Sequence, residues 1–83
     1  MASATPSPTP NPNALKFTLD VRLEGSMNVA GPDQADTPFA RRVFEAPGVV
    51  ALFGVNDFVT VTRSEGADWE PIIAAVQAAA AEL

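Results

Sequence analysis

The sequence predicts an α+β domain in two layers: a mainly antiparallel four-stranded sheet with two helices on one face, in the order ββαββα. Three observations predict it. Residues 14–24 alternate between apolar and polar side chains, the period of a strand with one face on a core. Residues 49–62 hold two β-branched and aromatic runs around a Gly/Asn/Asp turn, the signature of a β-hairpin. Two further segments, behind Thr37 and behind Asp68, carry apolar residues at helical spacing.

The elements follow in chain order. Residues 1–8 are expected to form a flexible, Pro-rich leader, with the folded domain spanning residues 9–83. Pro6, Pro8, Pro10 and Pro12 fall on alternate positions. Each lacks an N–H and pushes its predecessor toward extended geometry. Thr9-Pro10-Asn11-Pro12-Asn13 abuts the first strand. Its two Asn side chains either cap the turn into that strand or stand at the surface. In the strand, Leu15, Phe17, Leu19, Val21 and Leu23 share one face, and Lys16, Thr18, Asp20, Arg22 and Glu24 the other. Glu24-Gly25-Ser26 reads as a turn, and Met27 to Val29 as a short edge strand.

Gly31-Pro32-Asp33 breaks that strand. Thr37 is the expected N-cap of a first helix, with Pro38 at its first position. Phe39, Ala40, Val43 and Phe44 form its apolar stripe, and Pro47-Gly48 stops it. The hairpin runs from Val49 to Phe53, turns at Gly54-Val55-Asn56-Asp57, and returns along Phe58 to Thr62, with Gly48 and Gly54 serving turns. Asp68 is the expected N-cap of the last helix. Trp69, Ile72, Ile73, Val76, Ala80 and Leu83 lie at helical spacing along it, and its alanine-rich end favours helix strongly. The apolar sheet face would then cover Phe39, Phe44, Ile72 and Val76. The other face, with Lys16, Thr18, Arg22, Phe58, Thr60 and Thr62, is left open.

Composition bounds the chemistry. The chain of 83 residues has no Cys, no His and no Tyr. Disulfides, thiolate metal sites and cysteine nucleophiles are excluded, and so is the commonest general base. Any metal would rest on carboxylates and carbonyls, which favours hard ions. The formal net charge is −5 and the pI near 4.3, so nucleic acid and anionic membrane surfaces are not expected partners. No apolar run is long enough to span a bilayer, and no basic, apolar leader opens the sequence; the expected setting is cytoplasmic.

Asp33 with Asp36, and Asp68 with Glu70, are acid pairs, but both sit at helix starts where acids serve capping. No Ser or Thr has a His base, and no Gly-rich phosphate loop is present. Trp69 heads an apolar stripe and reads as core before it reads as a ligand platform. Arg41-Arg42 reads as a solvated helix face, with carboxylate binding as the sharper alternative. What remains is surface for protein contacts.

One family shares these landmarks. Thr9-Pro10-Asn11-Pro12-Asn13-Ala14-Leu15-Lys16-Phe17 resembles the opening motif of the N-terminal domain of Nfu/NifU-type iron–sulfur scaffold proteins. Thr37-Pro38-Phe39-Ala40 resembles the start of that domain's first helix. Phe44, Pro47-Gly48-Val49 and Asp57-Phe58-Val59-Thr60-Val61-Thr62 are similar to its helix-to-hairpin segment, and Asp68-Trp69 to the start of its last helix. The resemblance covers about residues 9–83. It implies a compact α+β fold and a role beside a second domain that carries a Cys-x-x-Cys motif and binds the cluster. Cluster ligation does not carry over to a chain without Cys, as in a single-domain relative or an excised domain.

The resulting expectation is a non-enzymatic accessory or protein-docking module of iron–sulfur cluster assembly or delivery. Its partners would be iron–sulfur assembly proteins or apoprotein clients. No cofactor would be bound stably, and any iron contact would be weak and transient. The candidate partner-binding residues are Asn11, Asn13, Lys16, Arg41, Arg42 and Phe58. The alternative is a small-molecule-binding or regulatory domain, unrelated to iron, that uses the open face around Phe58.

Overall fold

The computed structural model describes residues 3–23 and 26–82. Part of the expected turn, Glu24-Gly25, and the last stripe residue, Leu83, lie outside the described residues, as do the first two positions of the leader. Five strands, β1 (Ala4–Pro8), β2 (Ala14–Leu19), β3 (Met27–Val29), β4 (Val49–Val55) and β5 (Phe58–Arg63), form one sheet. Their spatial order is β1-β2-β5-β4-β3, and every neighbouring pair is antiparallel. A short 3₁₀ turn, Pro32–Gln34, precedes helix α1 (Pro38–Phe44), and helix α2 (Trp69–Ala81) follows β5.

The two-layer α+β architecture is as the sequence predicts, but the sheet has five strands rather than four. The added strand comes from the leader. Ala4 pairs with Leu19, Pro6 with Phe17 and Pro8 with Leu15, and Ala4 is only 5% exposed. The segment is extended, as its prolines predict, but it is paired along β2 rather than unpacked and flexible. In an antiparallel ladder only every second residue turns its N–H toward the neighbour. Pro6 and Pro8 share one parity, so their missing donors fall on the outer edge, and Thr5 and Ser7 face β2. An edge strand tolerates proline in that arrangement. The Gln77 Nε2 of α2 also reaches the Ala4 carbonyl at 3.4 Å.

β2 is shorter than the alternation suggests. Its partner β5 begins at Phe58, so the β2–β5 ladder ends at Thr18. Beyond it the Leu19 and Leu23 amides each donate at 2.6 Å to the turn carbonyls of Asp57 and Asn56. Leu23 still packs on the core, whereas Val21 is 37% exposed.

The core lies between one sheet face and the two helices. Phe17, Leu52, Val59 and Val61 from the sheet, and Val43, Ile72 and Val76 from the helices, are almost fully buried. Thr37 caps α1 as expected: its backbone is extended and its Oγ1 accepts from the Ala40 N–H at 3.1 Å. Asp68 holds the N-cap position of α2 without a side-chain capping bond. Gly54 departs from the expected turn role. It sits inside β4 opposite Val59, and a Cβ there would meet Val59 Cγ1 at 2.9 Å and Leu23 Cδ1 at 3.1 Å. Its lack of a side chain lets the β4–β5 core face close.

Removing residues 1–8 would uncover the Leu19 side of the core and the outer edge of β2. The expected cost is on the order of 1–3 kcal/mol in urea unfolding. An unchanged midpoint would show that β1 adds nothing to the fold.

Candidate functional site

The period-two pleat sends alternate residues of β2, β5 and β4 to the face that carries no helix. Across it, Lys16 stands opposite Thr60 and Thr60 opposite Phe53; one step along, Thr18 stands opposite Phe58 and Phe58 opposite Val55. Lys16 and Phe58 are therefore diagonal neighbours, and the Lys16 Nζ lies 4.6 Å from the Phe58 ring centroid. Such an exposed cation–π contact is worth about 0.5–1 kcal/mol. Phe58 lies on the open face as the alternation predicts. Phe53 joins it there and is 43% exposed.

Phe53 was not among the predicted site residues. Its signal was the turn: a two-residue loop at Asn56-Asp57 sets Val55 against Phe58 and so puts Phe53 on the face of Phe58. Reading the turn as Gly54 to Asp57 hides that register. Val50, 40% exposed, is the extra residue where the β4–β5 register shifts between Val49 and Ala51, a β-bulge.

The other candidates lie elsewhere. Asn11 and Asn13 build the β1–β2 connection. The Asn13 amide donates to Asn11 Oδ1 at 2.9 Å, and the Ala14 amide to the Asn11 carbonyl at 3.1 Å. Thr9 Oγ1 accepts from the Asn11 amide at 3.2 Å and lies 2.9 Å from the Asn11 and Ala14 carbonyl oxygens. These are turn-forming bonds of the kind Asn and Thr favour. Arg63 then fastens the turn to the rest of the sheet. Its amide donates to the Asn13 carbonyl at 2.8 Å, its Nε to Asn13 Oδ1 at 3.4 Å and its Nη1 to the Ala67 carbonyl at 2.7 Å. Its guanidinium lies 4.9 Å from the Trp69 ring centroid.

Arg41 and Arg42 are exposed on the helix layer. Arg41 Nε donates to the Ala35 carbonyl at 3.1 Å. Arg42 pairs with Glu45 at 3.5 Å and Glu82 at 3.8 Å, exposed contacts of small energetic weight. Arg22, expected on the open face, lies beyond the end of β2. It lines a cavity of about 770 Å³ together with Leu23, Met27, Val29, Phe39 and Ala79. None of the six predicted site residues lines that cavity. Of the six, the structure brings Lys16 and Phe58 together on the open face and joins Asn11 and Asn13 in the β1–β2 turn.

Charge divides along the same layers. The five strands contain Lys16 and Arg63 and no Asp or Glu. Among the described residues no three acidic side chains gather into a group able to hold a metal ion. Without Cys or His in the chain, the donors present do not fit an iron–sulfur cluster, which is held by thiolates or imidazoles.

Comparison with known proteins points in one direction. The family described as "Scaffold protein Nfu/NifU N terminal" matches residues 5–83. Among curated proteins, the "NFU1 iron-sulfur cluster scaffold homolog, mitochondrial" of Drosophila ananassae is 38% identical over 68 residues, and its counterpart in Drosophila persimilis 37%. The match takes in 77% of this chain but 24% of each relative, so the chain spans about a quarter of their length. Among solved structures, protein SAV1430 from Staphylococcus aureus has a TM-score of 0.79 at 31% identity, covering 93% of this chain and 96% of that one. A NifU-like protein from Saccharomyces cerevisiae has a TM-score of 0.76 at 26% identity, covering 92% of this chain and 72% of that one.

Arg63→Ala would release the turn from Ala67 and Trp69. The expected outcome is a loss of about 1–3 kcal/mol in chemical unfolding and a red shift in emission from Trp69, the sole tryptophan. Unaltered emission with an unaltered midpoint would show that the turn is not fastened there.

Proposed function

The chain belongs to the Nfu/NifU N-terminal family of scaffold proteins, and on that premise we propose that it is a non-enzymatic docking or accessory module of iron–sulfur cluster assembly. The observation that carries this reading is the family match across residues 5–83 in a chain with no cysteine. A scaffold-family domain that cannot offer thiolates contributes through what it touches. Its partners in this reading are cluster-assembly proteins or apoprotein clients, and no cofactor is held stably. The cytoplasmic setting expected from the sequence belongs to the same proposal; the fly relatives are mitochondrial by name.

The docking surface in this reading is the open sheet face around Lys16, Phe53 and Phe58. It is the face that α1 and α2 leave uncovered, and it places exposed aromatic area beside a cation, a composition enriched at protein interfaces. Asn11 and Asn13 lie apart from this surface, in the β1–β2 turn, where the Oδ1 of each accepts a hydrogen bond.

Two measurements test the reading. Affinity capture from the source cell's lysate should enrich cluster-assembly proteins or iron–sulfur apoproteins on the wild type, several-fold over a Lys16→Glu/Phe58→Ser bait. If neither bait enriches any such protein, the pathway assignment fails. Anaerobic reconstitution with iron and sulfide, followed by gel filtration, should leave the protein without either element. Stoichiometric retention of both would overturn the claim that the chain contributes no cluster ligands.

A further inference from the structure

We infer that the open sheet face takes an amphipathic helix of another protein, one that lays an apolar stripe over Phe53 and Phe58 and directs a carboxylate at Lys16. This deepens the docking reading above and rests on it. Three observations select that occupant. The first is the charge on the face. Ten acidic against five basic residues give the chain its net charge of −5, yet the strands hold no acid, and Lys16 is the one charged side chain that they point outward on this face. Arg63, the other strand cation, falls at the opposite parity and turns to Ala67 and Trp69.

The second observation concerns the edges. A partner strand could add to a free sheet edge, but β1 presents an outer edge from which Pro6 and Pro8 have removed donors, and β3 is only three residues long. Docking is directed to the face instead. The third is the chemistry of that face. Phe53, Val55 and Phe58 form a cross-strand apolar stripe bordered by Thr18, Thr60 and Thr62. The opposite face of the same sheet already shows what fits such a surface, since α1 and α2 cover it with their own apolar stripes. The cavity near Arg22 lies off this stripe and plays no part.

The net charge alone argues for a basic partner. Local charge wins at contact range, because the Debye length at physiological salt is about 8 Å and the molecule's shortest extent is 19 Å. Acids on the helix layer are thus largely screened from a ligand seated on the sheet; Asp20 and Asp57 border the face beyond Thr18 and Phe58, so the ligand's carboxylate is directed to Lys16, at the end away from them.

The test uses two synthetic helical peptides with the same leucine stripe at i, i+3, i+4 and i+7. One carries Glu and the other Lys at the flanking positions. Each is titrated into the ¹⁵N-labelled protein at physiological salt. The Glu peptide should shift the amides of Lys16, Phe53, Phe58 and Thr60. It should bind about fivefold more tightly than the Lys peptide, the scale of one exposed charge pair. In Lys16→Glu the order should reverse, and in Lys16→Gln the two peptides should bind alike. Equal affinities for the wild type, an unreversed order in Lys16→Glu, shifts confined to α1 and α2, or no shift with either peptide would each overturn the inference. So would sedimentation showing that a second copy of the chain already occupies Phe53 and Phe58. No iron–sulfur component enters this assay. Peptide binding without capture of any pathway protein would therefore remove the pathway and keep the surface.

Discussion

The two-residue turn at Asn56-Asp57 is the constraint on which the rest of the structure depends. Asn56 has φ of 57°, a left-handed conformation that Asn adopts more readily than most residues. Because the loop is only two residues long, Val55 must face Phe58, and the remaining β4–β5 pairs follow as far as the bulge near Val50. That register puts Gly54 opposite Val59, the place where a side chain would clash. It also puts Phe53 and Phe58 on the same outer face. The turn's two carbonyls take the Leu19 and Leu23 amides, so the same turn decides where β2 stops and holds the chain that leaves it. A one-residue slip would exchange the buried Val59 and Val61 for Phe58, Thr60 and Thr62.

Elements whose information is local were legible in the sequence. Thr37-Pro38 announces α1, the stripe after Asp68 announces α2, and the Phe58–Thr62 alternation announces β5 together with the outward side of Phe58. What failed depends on partners distant in sequence. Alternate prolines argue against a strand until the segment is known to lie at an edge, where one parity of donors is not needed. The alternation through Val21 and Leu23 outlasts its partner strand, and nothing local marks Leu19 as the last paired residue. Gly54 lies next to turn residues, so its packing role becomes visible only once Val59 and Leu23 are placed against it.

The site was legible in the same measure. Lys16 and Phe58 could be assigned to one face by parity alone, and the structure sets them in contact. Asn11 and Asn13 carry the most distinctive part of the motif, yet their polar groups serve the turn and its tie to Arg63, a residue fifty positions beyond Asn13. A motif can mark a backbone conformation as readily as a recognition surface. Arg41 and Arg42 form a pair only in sequence: one turns to the Ala35 carbonyl, and the other to Glu45 and Glu82.

Among the described residues α1 and α2 cover one sheet face and no helix lies on the other. The uncovered face must then satisfy two opposed demands. It needs β-favouring residues to hold the strands, and enough polarity to remain wetted by solvent. Threonine meets both, and Thr18, Thr60 and Thr62 occupy that face. Phe53 and Phe58 meet only the first, leaving apolar area where threonine would serve the fold equally well. Their placement beside Lys16, on a sheet whose five strands hold no acid, is not required by the core, which they do not enter. The acids of the described residues lie on helices and loops, with Asp20 and Asp57 at one end of the open face. Under the docking proposal, the division of charge between the layers leaves one face on which apolar area and a cation can meet a partner.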